Sequence, residues 1–290
     1  MALHPGGLAG PELPSLASWP APDPWLVSVL AIALGLYTTG ALRLWRHAGR
    51  GHGLRAWQAV AHGAGLSVLA LALLSPLDRA SDVLFSAHMA QHELLMLVAA
   101  PLIVLGRPMA AVAWSLPRRW RVKVARAARS PRVASLWRIL TAPLVALVLH
   151  AATRWLWHVP SLFDAALADE RVHAFQHLTF FATATLFWWT LIHGRYGRVG
   201  YGVAAVFVFL TMLHTGLLAA LLGLGDHPLY AHGGRSLAFG IDPVEDQQRA
   251  GLVMWIPAGV LMMGIGLGVF AAWLGQSARA IGSSSHRGLR

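Results

Sequence analysis

The 290-residue sequence has no cysteine, a single lysine and only twelve acidic residues. Without thiols there is no disulfide, thiolate nucleophile, iron–sulfur cluster or cysteine-based metal site. Charged residues make up 12% of the chain, whereas soluble domains carry about 25%. Alternating strands of the kind that close a membrane barrel are missing as well. What remains is apolar: 56% of residues are hydrophobic and the mean hydropathy is +0.55. A water-soluble globule of this length cannot hide that much apolar surface. The composition excludes a disordered chain, a secreted disulfide scaffold and an ordinary soluble enzyme. It points to an all-α, polytopic membrane helical bundle.

A spanning helix needs about 20 mostly apolar residues. Seven segments qualify: 25–45, 56–75, 84–106, 139–159, 172–193, 201–224 and 248–274. Together they make a membrane domain over 25–275. Residues 1–24 hold six prolines and no basic stretch, so they read as an extended external segment rather than a signal peptide. Residues 276–290, rich in Gly, Ser and Arg, read as a disordered tail.

The cations sort onto one side. Eighteen of 23 lie in the loops after spans 1, 3 and 5 and in the tail. The positive-inside rule puts these in the cytoplasm, with the N-terminus outside and the C-terminus inside. Eleven acidic residues fall on the outer side or in the N-terminal segment, and the twelfth, Glu93, lies inside span 3. The net charge of +11 is therefore a cytoplasmic skirt, not a nucleic-acid surface. Within it, 117–138 reads as one basic interfacial helix, with Trp120, Val124 and Trp137 as apolar contacts and its cations facing anionic headgroups of the lipid bilayer.

Fifteen histidines are many for such a chain. Span 3 carries His88 and His92 near its outer end, and span 5 carries His173 and His177. At i, i+4 both imidazoles of a pair point to one face, which makes a two-nitrogen metal clamp. Two clamps at matched depth supply up to four nitrogens, and buried polar groups in a membrane are costly and usually functional. The bland alternative is that these histidines only join helices. His150, Arg154 and His158 form a stripe on span 4, and His214 lies in the outer half of span 6. Taken singly, His150 and His214 read as core histidines, although His158 and His214 are further candidates for the metal. Glu93 shares a stripe with Met89 and Met96; it can pair with Arg154, support an imidazole or ligate. His92-Glu93 begins an HExxH motif, but Met96 stands where the second histidine belongs, so a zinc protease is disfavoured. Imidazole suits copper, zinc and iron, and nearby thioethers tilt the preference to copper. In the last outer loop Asp242, Pro243 and Glu245 read as a helix N-terminus, with Asp246 and Gln247 in the first turn as a cap, a lid over the histidines or a docking surface.

Four stretches, HMAQHELLMLVAAPLIVLGRP (88–108), WHVPSLFDAAL (157–167), HAFQHLTFFATATLFWW (173–189) and DPVEDQQRAGLVMWIPAG (242–259), resemble the CtaG-type cytochrome c oxidase assembly factors of bacteria. These are multi-pass cell-membrane proteins of caa-type oxidase systems. The resemblance implies a non-enzymatic role in oxidase maturation, most plausibly copper delivery on the outer side, with an oxidase subunit as recipient and a periplasmic copper donor. It places His88, His92, His173 and His177 in the site, with Trp157, His158, Asp246 and Gln247 as further matched positions. A single-span chaperone with a cysteine motif shares the name; this chain lacks its chemistry. Other readings remain beside it: a b-type haem redox protein held by one histidine from each of two helices, a metal-dependent hydrolase with Glu93 as base, and a structural chaperone that binds no metal.

The orientation is directly testable. A reporter that works only in the periplasm should be silent when fused after Arg290, and activity there would invert the topology.

Overall fold

The computed structural model describes residues 23–194, 201–230 and 236–287, the side chains of Tyr201, Ala238 and 276–287 excepted. Of the expected external segment 1–24, residues 1–22 lie outside the described residues; of the tail 276–290, residues 288–290 do, and the backbone of 276–287 continues the last helix. Among the described residues the chain is helical and carries no strand. The long helices are α1 (Pro24–Ala48), α2 (Ala56–Leu74), α11 (Glu170–His193), α12 (Tyr201–Gly223) and α13 (Pro243–Arg287). Between them lie the short α3 (Pro76–Ser81), the broken third span α4 (Phe85–Glu93) and α5 (Ala100–Leu105), and then α6 (Pro108–Ser115), α7 (Arg118–Ala128), α8 (Pro131–Leu140), α9 (Pro143–Trp157) and α10 (Pro160–Ala168).

Five helical stretches are long and apolar enough to cross a bilayer, and the bent pair α8–α9 makes up to six. The fifth expected span, α11, is helical over 24 residues but too polar to qualify by composition. Four threonines contribute to that polarity, yet their hydroxyls are spent inside the helix: Thr183, Thr185 and Thr190 donate to carbonyls one turn back, and Thr179 donates to the Gln176 carbonyl. Outward faces carry an apolar belt, including Leu144, Leu178, Phe209, Val260 and Leu267. That much exposed apolar surface suits lipid, not water.

Two expectations need correction. The single basic helix expected at 117–138 is two helices, and span 4 is cut short to α9, which meets α8 at 62°. Both breaks have one cause. Ser130 and Ala142 each precede a proline and adopt extended backbone, because proline excludes the helical conformation from the residue before it. Trp137, expected to face lipid, packs edge-on against Trp189 at 5.4 Å.

Span 3 is the central helix: 72% of its most apolar window is buried, against 17–39% for the other four qualifying stretches. Its lower half joins α9, α11, α12 and α13 in a core that includes Leu97, Val104, Leu147, Phe187 and Met262. Between α4 and α5, residues Leu94–Ala99 form a π-helix, a widening found often beside functional sites. Pro101 has no N–H to give, so the Met96 carbonyl loses its π partner. Trp188 Nε1 takes that place at 2.7 Å. The contact of α12 with α13 is closer still: a Cβ on Gly251 would sit 2.7 Å from the Ala219 carbonyl oxygen and 2.6 Å from Gly223 N, so the two helices cross at a position only glycine fits. Gly251→Val should lower the thermal midpoint in detergent, with a cost of at least about 1–3 kcal/mol from overpacking. An unchanged midpoint would mean the two helices part easily.

Candidate metal site

The two histidine pairs meet. Ring centroids are 4.3 Å apart within His88–His92 and again 4.3 Å within His173–His177. Across the helices, His88–His173 and His92–His177 are both 5.1 Å, and the diagonal His88–His177 is 6.3 Å. Since 88 pairs with 173 and 92 with 177, α4 and α11 run parallel here. His88 and His92 are fully buried, and the other two are half-buried. One nitrogen each from His88, His92 and His173 lies within 4.8 Å of the others. Three imidazoles on one ion need nitrogens about 3.4 Å apart at bond lengths of about 2.0 Å, so small ring rotations close the site. Both ring nitrogens of His92, and Nε2 of His173 and of His177, have no hydrogen-bond partner among the described residues. A buried cluster of imidazoles offers the nitrogen donors of a metal site.

The surroundings hold the rings in place. Phe163 packs on His88 at 5.1 Å and Phe180 on His92 at 4.7 Å. Tyr230, between α12 and α13, packs at a tilt against Phe85 and Phe163 and donates to the His158 carbonyl at 2.9 Å. Burial pushes the Tyr230 hydroxyl pKa well up, so it stays a donor. His158 lies beside the cluster, not in it: Nδ1 donates to the Arg154 carbonyl at 2.6 Å, and Nε2 meets Met89 Sδ at 3.4 Å. Gln91 is spent on the Ala72 carbonyl at 2.8 Å and on Asp78 at 2.7 Å. Burial raises the Asp78 carboxyl above its ordinary range, against the pull of that amide. Gln91 and Gln176, both fully buried, were missed from sequence. The signal was there: each precedes the second histidine of its pair, so both helices read His-x-x-Gln-His.

The remaining candidates separate. His214 is not in the four-ring cluster; it faces His150 at 6.4 Å. Next to His150, a space of about 10 Å³ is lined by Met96, Arg154, Trp188, Thr211 and Thr215 among others, about the size of one water. Met96 therefore belongs to this deeper space and Met89 to the neighbourhood of His158. Glu93 forms a buried ion pair with Arg154. Asp246 neither caps its own helix nor forms a lid. It caps α4, accepting from Phe85 N at 2.6 Å and from Ser86 N at 3.1 Å. The Leu84 side chain at the cap position has nothing to offer α4, and a carboxylate suits a helix N-terminus. Asp242 caps α13 as expected, through Val244 N and Glu245 N. Gln247 ties down the segment between α12 and α13, accepting from Leu229 N at 2.8 Å.

Apolar helices with a buried cluster of imidazoles at one end define a helical membrane protein with a histidine-lined site. The sequence model of the family described as "Cytochrome c oxidase caa3 assembly factor (Caa3_CtaG)" matches residues 35–276, from the middle of the first span onward. The chain belongs to this family of cytochrome c oxidase assembly factors. No curated protein and no solved structure matches it.

Two substitutions probe the supports. Asp246→Ala should cost about 1–2 kcal/mol of stability by uncapping α4, read by thermal unfolding, with Asp246→Asn recovering part. Arg154→Met alone should cost about 3–5 kcal/mol by stranding Glu93, and adding Glu93→Leu should restore most of it. Additive losses would mean the two residues act independently.

Proposed function

We propose that the protein binds copper at His88, His92, His173 and His177 and passes it to a cytochrome c oxidase subunit on the outer face of the bacterial cell membrane. The observation that carries this is the matched pair of clamps, with equal spacing within each helix and equal spacing across. Copper is the cargo here, so the site needs ligands that let go. Imidazoles do, since protons compete for the same lone pairs. Met89, beside His158, puts a thioether near the cluster, which favours copper over zinc. A periplasmic donor would load the site, and it is the outer end of the bundle that such a donor meets.

The seven-span topology with the N-terminus outside is part of the same proposal. The asymmetry of cations supports it, and so does the parallel run of α4 and α11, which a single intervening span requires. A non-enzymatic role is supported by Glu93, the one intramembrane carboxylate, being held by Arg154 instead of free to act as a base. Haem is the second reading. Phe163 and Phe180 fill the space against two of the rings, which leaves less room for a macrocycle than for an ion. The absorption spectrum of purified protein separates the two, since haem gives a Soret band and a copper carrier does not.

His88→Ala/His92→Ala should insert normally, because alanine is at home in a membrane helix. It should lose at least about tenfold in copper affinity, with two of four nitrogens gone. In cells, a copper-containing oxidase should lose activity while haem-only respiratory enzymes keep theirs, and added copper should restore it by mass action. Normal oxidase copper in that variant, at normal expression and without added copper, would refute delivery.

A further inference from the structure

We infer that the cleft between α1, α6 and α7 is a binding site for the headgroup of an anionic phospholipid. The cleft is a shallow, open one with room for about 410 Å³, and it is lined by Arg43, Arg46, His47, Trp114, Arg118 and Arg121, with Leu116 and Pro117. Its size is in the range of small-ligand pockets, about 300–1,000 Å³. Four guanidinium groups share it and no carboxylate does. None of the four makes an ion pair among the described residues. Like charges gathered without a counter-charge repel, and an anion between them relieves that cost.

The gathering is built, not incidental. A Cβ on Gly40 would overlap the Ala111 carbonyl, so α1 and α6 touch backbone to backbone. That contact sets His47, two turns beyond Gly40, against Trp114 at 5.1 Å. Arg121 lies over the same indole at 3.9 Å, and Arg43 donates to the Ser115 carbonyl. Two arginines are thereby held before any ligand arrives, while Arg46 and Arg118 make no side-chain hydrogen bond among the described residues. Guanidinium forks match phosphate oxygens two by two, which an ammonium cannot do.

The surroundings select a lipid over a soluble phosphate. Leu42, Met109 and Val112 are exposed on the helices that frame the cleft. On α7, Trp120, Val122 and Val124 are about half exposed. Acyl chains can lie on this apolar surface while the phosphate meets the arginines, and basic pockets beside membrane helices take such headgroups. The inference rests on the proposed topology only for the choice of the cytoplasmic leaflet. Binding in detergent does not depend on orientation, nor on copper.

Native mass spectrometry of the full chain in mild detergent tests it. Phosphatidylglycerol is offered against equimolar phosphatidylcholine, with and without excess inorganic phosphate. The protein should retain phosphatidylglycerol preferentially, and inorganic phosphate should not displace it. Arg46→Gln/Arg118→Gln should weaken retention roughly 30-fold, at about fivefold per charge. Arg126→Gln/Arg132→Gln removes the same charge outside the cleft and should weaken it less than about threefold. Arg46→Lys/Arg118→Lys keeps the charge and the fold but loses the forks, so it should still bind several-fold more weakly than wild type. Equal losses in the two Gln pairs would leave only a general basic surface and overturn the site. So would equal retention of phosphatidylcholine, full retention by both cleft variants, or displacement by inorganic phosphate.

Discussion

Span 3 must bury nearly every side chain it has, and within one turn and a half it carries His88, Gln91, His92 and Glu93. In hydrocarbon, each of these needs a partner from the protein itself. The bundle is arranged around that demand. Span 5 meets the two histidines with two of its own. Span 4 brings Arg154 to Glu93, and α3 with the end of α2 receives Gln91. Among the described residues, both nitrogens of His92 and Nε2 of His173 and of His177 have no hydrogen-bond partner, and these three rings meet within the cluster. A membrane helix that places its most polar stretch at its most buried position, against two further histidines from span 5, has the make-up of a site.

The connections at this end of the bundle serve the same stretch. Asp246 crosses from α13 to cap α4, Tyr230 closes over Phe85 and Phe163, and Gln247 holds the segment that carries Tyr230. The histidines therefore sit on a helix whose first turn is anchored from another span. Below them the π segment, Pro101 and the Trp188 bond interrupt the ladder. The site lies between an imposed cap and a built-in defect, so span 3 is held at both ends of its polar stretch by groups outside itself.

Much of this was legible. The apolar runs located the helices, because length and hydropathy are local properties. The i, i+4 histidines located the clamps, because helical spacing dictates a shared face. Their meeting was an inference from depth, and it held because two incomplete half-sites in a membrane satisfy each other. The deep partners were harder to read. Glu93 with Arg154 was one of three open choices. Asp246 looked like a cap for its own helix, and its work on α4, 160 residues away, had no local sign. His214 seemed to converge with the others by depth alone, yet its azimuth sends it to His150. The proline breaks at 130–131 and 142–143 were readable in principle, since each is an ordinary pre-proline extension. They were masked by the continuity of charge and hydropathy across them.

The central claim is that four imidazoles from two parallel helices hold one copper ion. X-ray absorption at the copper edge of the loaded, purified protein tests it most directly. The first shell should contain three or four nitrogen neighbours at about 2.0 Å, with the outer-shell scattering of imidazole rings, and this pattern should vanish in the His173→Ala/His177→Ala variant. A first shell dominated by sulfur, or an imidazole pattern unchanged in that variant, would contradict it.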